Sequence, residues 1–357
     1  MRRCRISNYI PAFSHSRILA FSHSRIPAFS HSLILSFSHS LILSFKNIVA
    51  IEQIIHTNGK LLLTGEYFVL DGALSLGLPV RFGQQLKAGP ALGSTEHQWV
   101  SLGFDGLPWF EGRFSPVGVY QGGSDAGVGE RLEGLFQAIE QQRPGFWMRK
   151  EMLRFETRLS FPREWGLGSS STLIAALGQW AKVDPFQLLA KTFGGSGYDI
   201  ACALARQPIL FQRRDGVPHY VDYPFRPPFA DYMCFVYLKR KQDSWEGIAR
   251  YRKIVKETPG LLGRVSALTV RFLQARSAEA AIRILQEHEE LVGKALQLPK
   301  VKDALFPEFP GAVKSLGAWG GDFAMAISTQ PGEVTRQYLR GKGYETVFTW
   351  GEMALQA

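Results

Sequence analysis

The feature that most constrains this chain is the stretch Trp165-Gly-Leu-Gly-Ser-Ser-Ser-Thr-Leu-Ile-Ala175, a glycine- and serine-rich loop that opens directly into an apolar helix. Gly166 and Gly168 permit a tight turn and a close approach of backbone to ligand. Ser169, Ser170 and Ser171 add hydroxyls, and the unpaired N–H groups of the new helix point into the same space. Such a helix start attracts anions, phosphates above all. It is not a Walker A loop, because no Gly-Lys-Ser/Thr follows. The same residues would also serve as a plain serine-capped helix after a glycine turn, so other segments must decide.

The 357 residues suffice for two domains. No apolar run reaches the length of a membrane span. Cys4, Cys202 and Cys234 are scattered, which suits a reducing, cytoplasmic setting and gives no zinc spacing. The net charge is +10, but six of those charges belong to residues 1–46, which hold no acid. The remaining +4 suits a small anionic substrate, with acids and bases interleaved rather than gathered into a nucleic-acid patch. Neither nucleic acid nor membrane is an expected partner.

Residues 11–45 repeat with a period of eight: PAFSHSRI, LAFSHSRI, PAFSHSLI, LSFSHSLI and a partial LSF. Eight residues cannot form a supersecondary unit. His15, His23, His31 and His39 suggest a metal-binding tract, and the leading arginines a signal peptide. The Ser-His-Ser interruptions and the lack of a small-residue cleavage site favour low-complexity sequence, so residues 1–46 are set aside as a tail.

From residue 47 onward strands and helices mix without strict alternation, which predicts an α+β fold. Strands are expected over 48–55, 59–65, 74–80, 155–159, 209–213, 232–238, 323–328 and 345–349, with two more inside 98–119, and 67–70 with an Asp71-Gly72 turn is expected to continue the first meander. Helices are expected over 127–142, 171–181, 185–191, 245–256, 262–274, 278–298 and 333–342. The proline-rich stretch 224–229 divides an N-terminal domain, 47–224, from a C-terminal one, 225–357.

Three further segments carry possible chemistry. In Asn58-Gly-Lys-Leu-Leu-Leu-Thr-Gly-Glu-Tyr-Phe-Val-Leu-Asp-Gly72, Lys60 opens an apolar run, and it is either a snorkelling core-edge residue or a functional cation. In Gly194-Gly-Ser-Gly-Tyr-Asp-Ile-Ala201, Asp199 is either a helix cap or a functional acid. Gly317-Ala-Trp-Gly-Gly-Asp-Phe-Ala-Met-Ala326 reads locally as a tight turn before a strand.

Together and in this order, these pieces resemble the GHMP kinase superfamily over about residues 56–350. Segment 59–72 is similar to the family's first motif, 166–171 to its phosphate loop and 317–323 to its third motif. Gly-Ser-Gly-Tyr-Asp and Gly-Gly-Asp-Phe are similar to segments of phosphomevalonate kinases, in a form that suggests a distinct Gly-Tyr-Asp-Ile-Ala subgroup of the mevalonate branch. Three departures stand out. Trp319 replaces a glycine and could crowd the acceptor pocket. Ser171-Thr172 replace the usual Ala-Ala. Leu188 stands where mevalonate kinases carry a magnesium-binding glutamate.

The resemblance implies two α+β domains, ribosomal S5 domain 2-like and ferredoxin-like, with the site between them. It implies ATP and Mg²⁺ as cofactors and transfer of the γ-phosphoryl group to mevalonate, phosphomevalonate or a related acceptor, by a monomer or homodimer. Gly166, Leu167, Gly168, Ser169, Ser170 and Ser171 would cradle the phosphates, with the Ser170 hydroxyl on Mg²⁺ or a β/γ oxygen. Asp199 would take or orient the acceptor proton beside Lys60. Ser196, Gly197, Gly320, Gly321 and Asp322 would border the acceptor, and Glu66 and Tyr67 would contact it or cap a turn. Two other readings stay open at this point. One is an ATP-dependent decarboxylase of the same branch, whose loop usually reads Gly-Leu-Ala-Ser-Ser. The other is a non-catalytic metabolite-binding protein on this fold.

Overall fold

The computed structural model describes residues 52–148, 151–240, 244–254, 260–317, 319 and 321–355. The repeat tail and Gly320 lie outside them. Among the described residues no helix is long and apolar enough to cross a membrane.

Strand β2 (Ser75–Pro90) organises the first sheet. It pairs antiparallel with β1 (Gln53–Thr64) from Leu76 to Ala88. The segments 48–55 and 59–65 were expected as separate strands; within the described residues they form one, and a register shift at Asn58/Gly59 absorbs the break. Residues 67–70 were expected to continue the meander, but Phe68–Asp71 form a 3₁₀ turn that buries Phe68, Val69 and Leu70. Pro79 was expected to end its strand, yet β2 runs on through it. Beyond β1, β2 pairs with β7 (Ile209–Arg214) only over residues 75–77 and with β6 (Leu153–Leu159) only over 84–90. Pro79 falls in the gap between them, where a missing N–H costs no ladder bond.

Strands β3 (His97–Leu102), β4 (Pro108–Phe114), β5 (Tyr120–Gly123) and β8 (Val217–Asp222) complete the order β5-β4-β3-β6-β2-β7-β8, with β1 also on β2. The β3–β6 pair is parallel. Helix α1 (Ala126–Gln142) buries Leu132, Leu135, Phe136 and Ile139, the stripe its 3.6-residue period predicts. They pack with Trp99, Phe155 and Trp180. Helices α2 (Ser169–Ala181), α3 (Pro185–Lys191) and α4 (Tyr198–Leu204) follow, and α2 and α4 lie against β1 and β2.

The second sheet has the order β10-β11-β9-β12, all antiparallel: β9 (Met233–Tyr237), β10 (Gly311–Leu316), β11 (Phe323–Ser328) and β12 (Val347–Thr349). Between β9 and β10 run α5 (Ser244–Ile254), α6 (Leu261–Gln274), α7 (Ala278–Leu296) and the short α8 (Val301–Leu305). Helix α9 (Gly332–Gly341) precedes β12, and α10 (Trp350–Met353) follows it. This is the β-α-β-β-α-β order of a ferredoxin-like sheet. One apolar core joins the sheets: Leu61 and Leu63 of β1 cluster with Phe235, Met325 and Ile327 and with Leu285 and Val292 of α7.

Candidate active site

The phosphate-loop candidate is built by a close approach of two backbones. Lys60 on β1 donates its backbone N–H to the Leu167 carbonyl at 2.9 Å and its ammonium to the Gly166 carbonyl, also at 2.9 Å. Gly59 is glycine for this reason. A Cβ there would lie 2.9 Å from the Leu167 oxygen, the Phe82 oxygen and the Val80 Cγ2. Gly166 and Gly168 adopt φ of 66° and 94°. A Cβ on Gly168 would meet the Ser171 hydroxyl at 2.6 Å and the Lys60 stem at 3.2 Å.

Helix α2 starts at Ser169, two residues earlier than its expected start, with Gly168 as a cap that makes no side-chain bond. Its first-turn amides therefore remain available to a ligand. The three serines differ. Ser170 is exposed and Ser169 half-buried, whereas Ser171 is buried and donates back to the Gly168 carbonyl at 2.9 Å. Thr172 is fully buried, its hydroxyl 2.7 Å from the Gln84 side-chain oxygen. The Ser-Thr pair in place of Ala-Ala thus faces inward, and Thr172 ties the helix to β2. Leu188 is fully buried in the first-sheet core.

Helix α4 opens at Gly197 (φ 91°), whose α carbon backs onto Phe186. The Ser196 hydroxyl accepts from the Tyr198 N–H at 3.3 Å and is buried, so it shapes this turn. Asp199 stands in the first turn and accepts from the Ile200 N–H at 3.1 Å. Burial pushes its carboxyl above the usual range, and the nearby Lys60 charge opposes that shift. The Lys60 ammonium also sits 5.9 Å from the centre of the Tyr198 ring. Tyr198, which motif reading passed over, therefore belongs to the same cluster. Burial, with Asp199 next, drives its phenol well above its ordinary value.

The third glycine segment reaches this cluster from the second sheet. Asp322 (φ 40°) is pinned by its own backbone, donating to the Arg240 carbonyl and accepting from the Leu238 N–H at 2.8 and 2.7 Å. Its carboxylate lies directly against Gly166, where a Cβ would be 2.0 Å from Oδ2. Gly321 is buried beside it. The Trp319 indole N–H donates to the Pro299 carbonyl at 2.8 Å, and the ring packs against Gly293 of α7. Its bulk is taken up in the core that joins the two sheets.

Glu66 and Tyr67 have partners within the protein. Glu66 is fully buried, ion-paired to Lys314 of β10, with His288 of α7 at 3.6 Å. Glu289 lies 3.8 Å from the same ammonium and accepts from the Ser315 N–H. Burial raises both carboxyls and Lys314 opposes it; Glu289, held farther off, is pushed up to about 8. Burial and Lys314 together keep His288 neutral, well below its ordinary value, while its Nε2 accepts from the Gly65 N–H at 3.2 Å. The Tyr67 hydroxyl accepts from the Trp319 N–H at 3.0 Å.

No protein-family model and no curated protein matches the sequence. Solved structures do. Methanococcus jannaschii mevalonate kinase aligns at 14% identity and a TM-score of 0.61, over 86% of this chain and 99% of that one. Streptococcus pneumoniae phosphomevalonate kinase, in complex with phosphomevalonate and AMPPNP, aligns at 17% and 0.61, over 83% and 99%. Lactococcus lactis galactokinase complexed with galactose aligns at 12% and 0.61, over 91% and 98%. The chain has the GHMP kinase fold. At these identities the likeness is one of architecture, and it agrees with the α+β expectation.

Proposed function

We propose that this GHMP-fold chain is an ATP-dependent phosphotransferase that moves the γ-phosphoryl group to an oxygen of a small acceptor, with mevalonate and phosphomevalonate as the first candidates. The observation that carries the reading is Lys60. One residue clamps the glycine loop through its backbone and its ammonium, and places its charge beside Asp199. Phosphoryl transfer asks for positioning and charge neutralisation more than covalent help. The first-turn amides of α2 suit the phosphates, and Lys60 suits the charge developing on the transferred group. A carboxyl whose proton affinity is raised by burial, with an ammonium opposing that shift, is suited to receive a hydroxyl proton.

The residues present also fit a magnesium ion. Among the described residues no group of three or more His, Cys, Asp or Glu could hold a metal alone. Mg²⁺ commonly binds through one or two protein oxygens, waters and substrate phosphates, and the exposed Ser170 hydroxyl offers such an oxygen. Bound there, the ion would neutralise phosphate charge.

The test is an ATP-consumption assay with mevalonate, phosphomevalonate, a few sugars and amino alcohols, beside calorimetry with AMPPNP–Mg. Acceptor-dependent ADP release is expected. Failure of the wild-type protein to bind AMPPNP–Mg would sink the reading.

A further inference from the structure

Tyr67 takes a conformation that its strand does not require. Three residues beyond β1, at φ 58° and ψ −41°, it is the centre of a γ-turn closed by the Phe68 N–H donating to the Glu66 carbonyl at 2.7 Å, a strained conformation that a bulky residue rarely enters. Its side chain then lies across two other parts of the molecule. The hydroxyl accepts from the Trp319 N–H at 3.0 Å, in the third glycine segment. The ring stacks on Tyr251 of α5, with centroids 5.9 Å apart and planes at 22°. The hydroxyl also rests over Gly247 of α5, where a Cβ would be 2.3 Å away. Tyr251 closes the arrangement by donating to the Asp71 carboxylate at 2.5 Å and setting its ring edge-on to Phe68. Only 8% of Tyr67 is exposed, so its polar end is committed inside the protein rather than to an acceptor.

We propose that Tyr67 is a positioning residue, a strut that fixes the third glycine segment and helix α5 to the end of the strand bearing Lys60, and thereby adds to the Arg240 and Leu238 backbone bonds that hold Asp322 against the phosphate loop. The proposal rests on the phosphotransferase reading for its purpose but not for its geometry. Trp319 is anchored at its indole by Pro299 and at its backbone by Tyr67. Asp322 follows three residues later and touches Gly166. Removing one hydroxyl therefore frees the start of the segment without touching the loop that would hold nucleotide.

Tyr67→Phe keeps the ring stack and deletes the bond. Expected in the variant are Trp319 amide exchange at least tenfold faster and AMPPNP–Mg affinity within twofold of wild type. In the wild-type protein AMPPNP–Mg is expected to slow exchange across 317–322, because Asp322 lies against Gly166 of the loop. In the variant, bound nucleotide no longer does so. A purely structural defect would instead weaken nucleotide binding and melting together. Gly247→Ala, which drives a methyl into the hydroxyl, is the second variant and gives the same exchange result with Tyr67 intact. Wild-type exchange at Trp319 in both variants overturns the proposal, as does retained nucleotide protection of 317–322 in Tyr67→Phe. If wild type binds no AMPPNP–Mg, the phosphotransferase reading fails, while Trp319 exchange in the free protein still decides the strut.

Discussion

Gly168→Ala probes the loop at its tightest point. The residue sits at φ 94° and ψ 46° as the cap of α2. A non-glycine residue held in such a region costs about 1–3 kcal/mol. The new methyl would start 2.6 Å from the Ser171 hydroxyl. That hydroxyl can rotate away, but it gives up its bond to the Gly168 carbonyl, a loss of about 0.5–1.5 kcal/mol. Together these destabilise the fold by about 2–4 kcal/mol, or about 4–8 °C in melting temperature at roughly 2 °C per kcal/mol for a chain of this size. The methyl would also press on the Lys60 stem at 3.2–3.3 Å, displacing an ammonium now bonded to Gly166. A misaligned charge-assisted bond is worth about 1.5–3 kcal/mol, so AMPPNP–Mg affinity should fall at least about tenfold. Differential scanning calorimetry and titration calorimetry read the two effects separately. A variant melting within 1 °C of wild type (an order-of-magnitude threshold) with unchanged nucleotide affinity would refute both the steric reasoning and the placement of phosphate on this loop.

Asp199→Asn and Lys60→Met should each lower acceptor-dependent turnover by roughly two to four orders of magnitude while far-ultraviolet circular dichroism stays unchanged, and near-wild-type turnover in either removes that residue from the chemistry. Because burial raises the Asp199 carboxyl, turnover should fall on acidification at a pH above the ordinary aspartate range, and this limb should vanish from the residual activity of Asp199→Asn. Glu289 is held protonated by burial, so its contribution to stability is complete below pH 4.5 and is lost as pH rises to about 8. His288, shifted the other way, affects stability only below about its ordinary 6.5. Urea midpoints measured between pH 6.5 and 8 therefore leave His288 out and read the raised carboxyls of this cluster, Glu66 with Glu289; they should decline in wild type and decline less steeply in Glu289→Gln, and parallel slopes would show that Glu289 is not the source. Deleting residues 1–46 should leave folding and nucleotide binding intact, with loss of soluble protein as the contrary result.

Local chemistry in this chain was readable, and long-range pairing was not. The glycine loop announced helix α2, and the apolar period of 127–142 announced α1 to within a residue. Helix α2 starts at Ser169 rather than Ser171 because Gly168 itself takes the cap conformation, leaving all three serines helical. Strand β8 gave no alternating signal, since five of its six residues are exposed at a sheet edge. The fate of Glu66 could not be read at all. Its partner Lys314 lies 248 positions away, and a Gly-Glu-Tyr after a strand looks the same whether the acid faces a ligand or a buried ammonium. Trp319 shows the same limit: its bulk was plain, but only the fold reveals that the indole turns toward Pro299.

The ion cluster around Lys314 also bears on how this molecule could be divided. Glu66 leaves the first sheet, while Lys314, His288 and Glu289 belong to the second sheet and its helix. A chain severed near residue 224 would strand an ammonium in one fragment and its counter-ion in the other, each inside a half-made apolar core. The two fragments should be insoluble apart and regain structure when co-expressed, so a split version of this protein would report on the meeting of its halves.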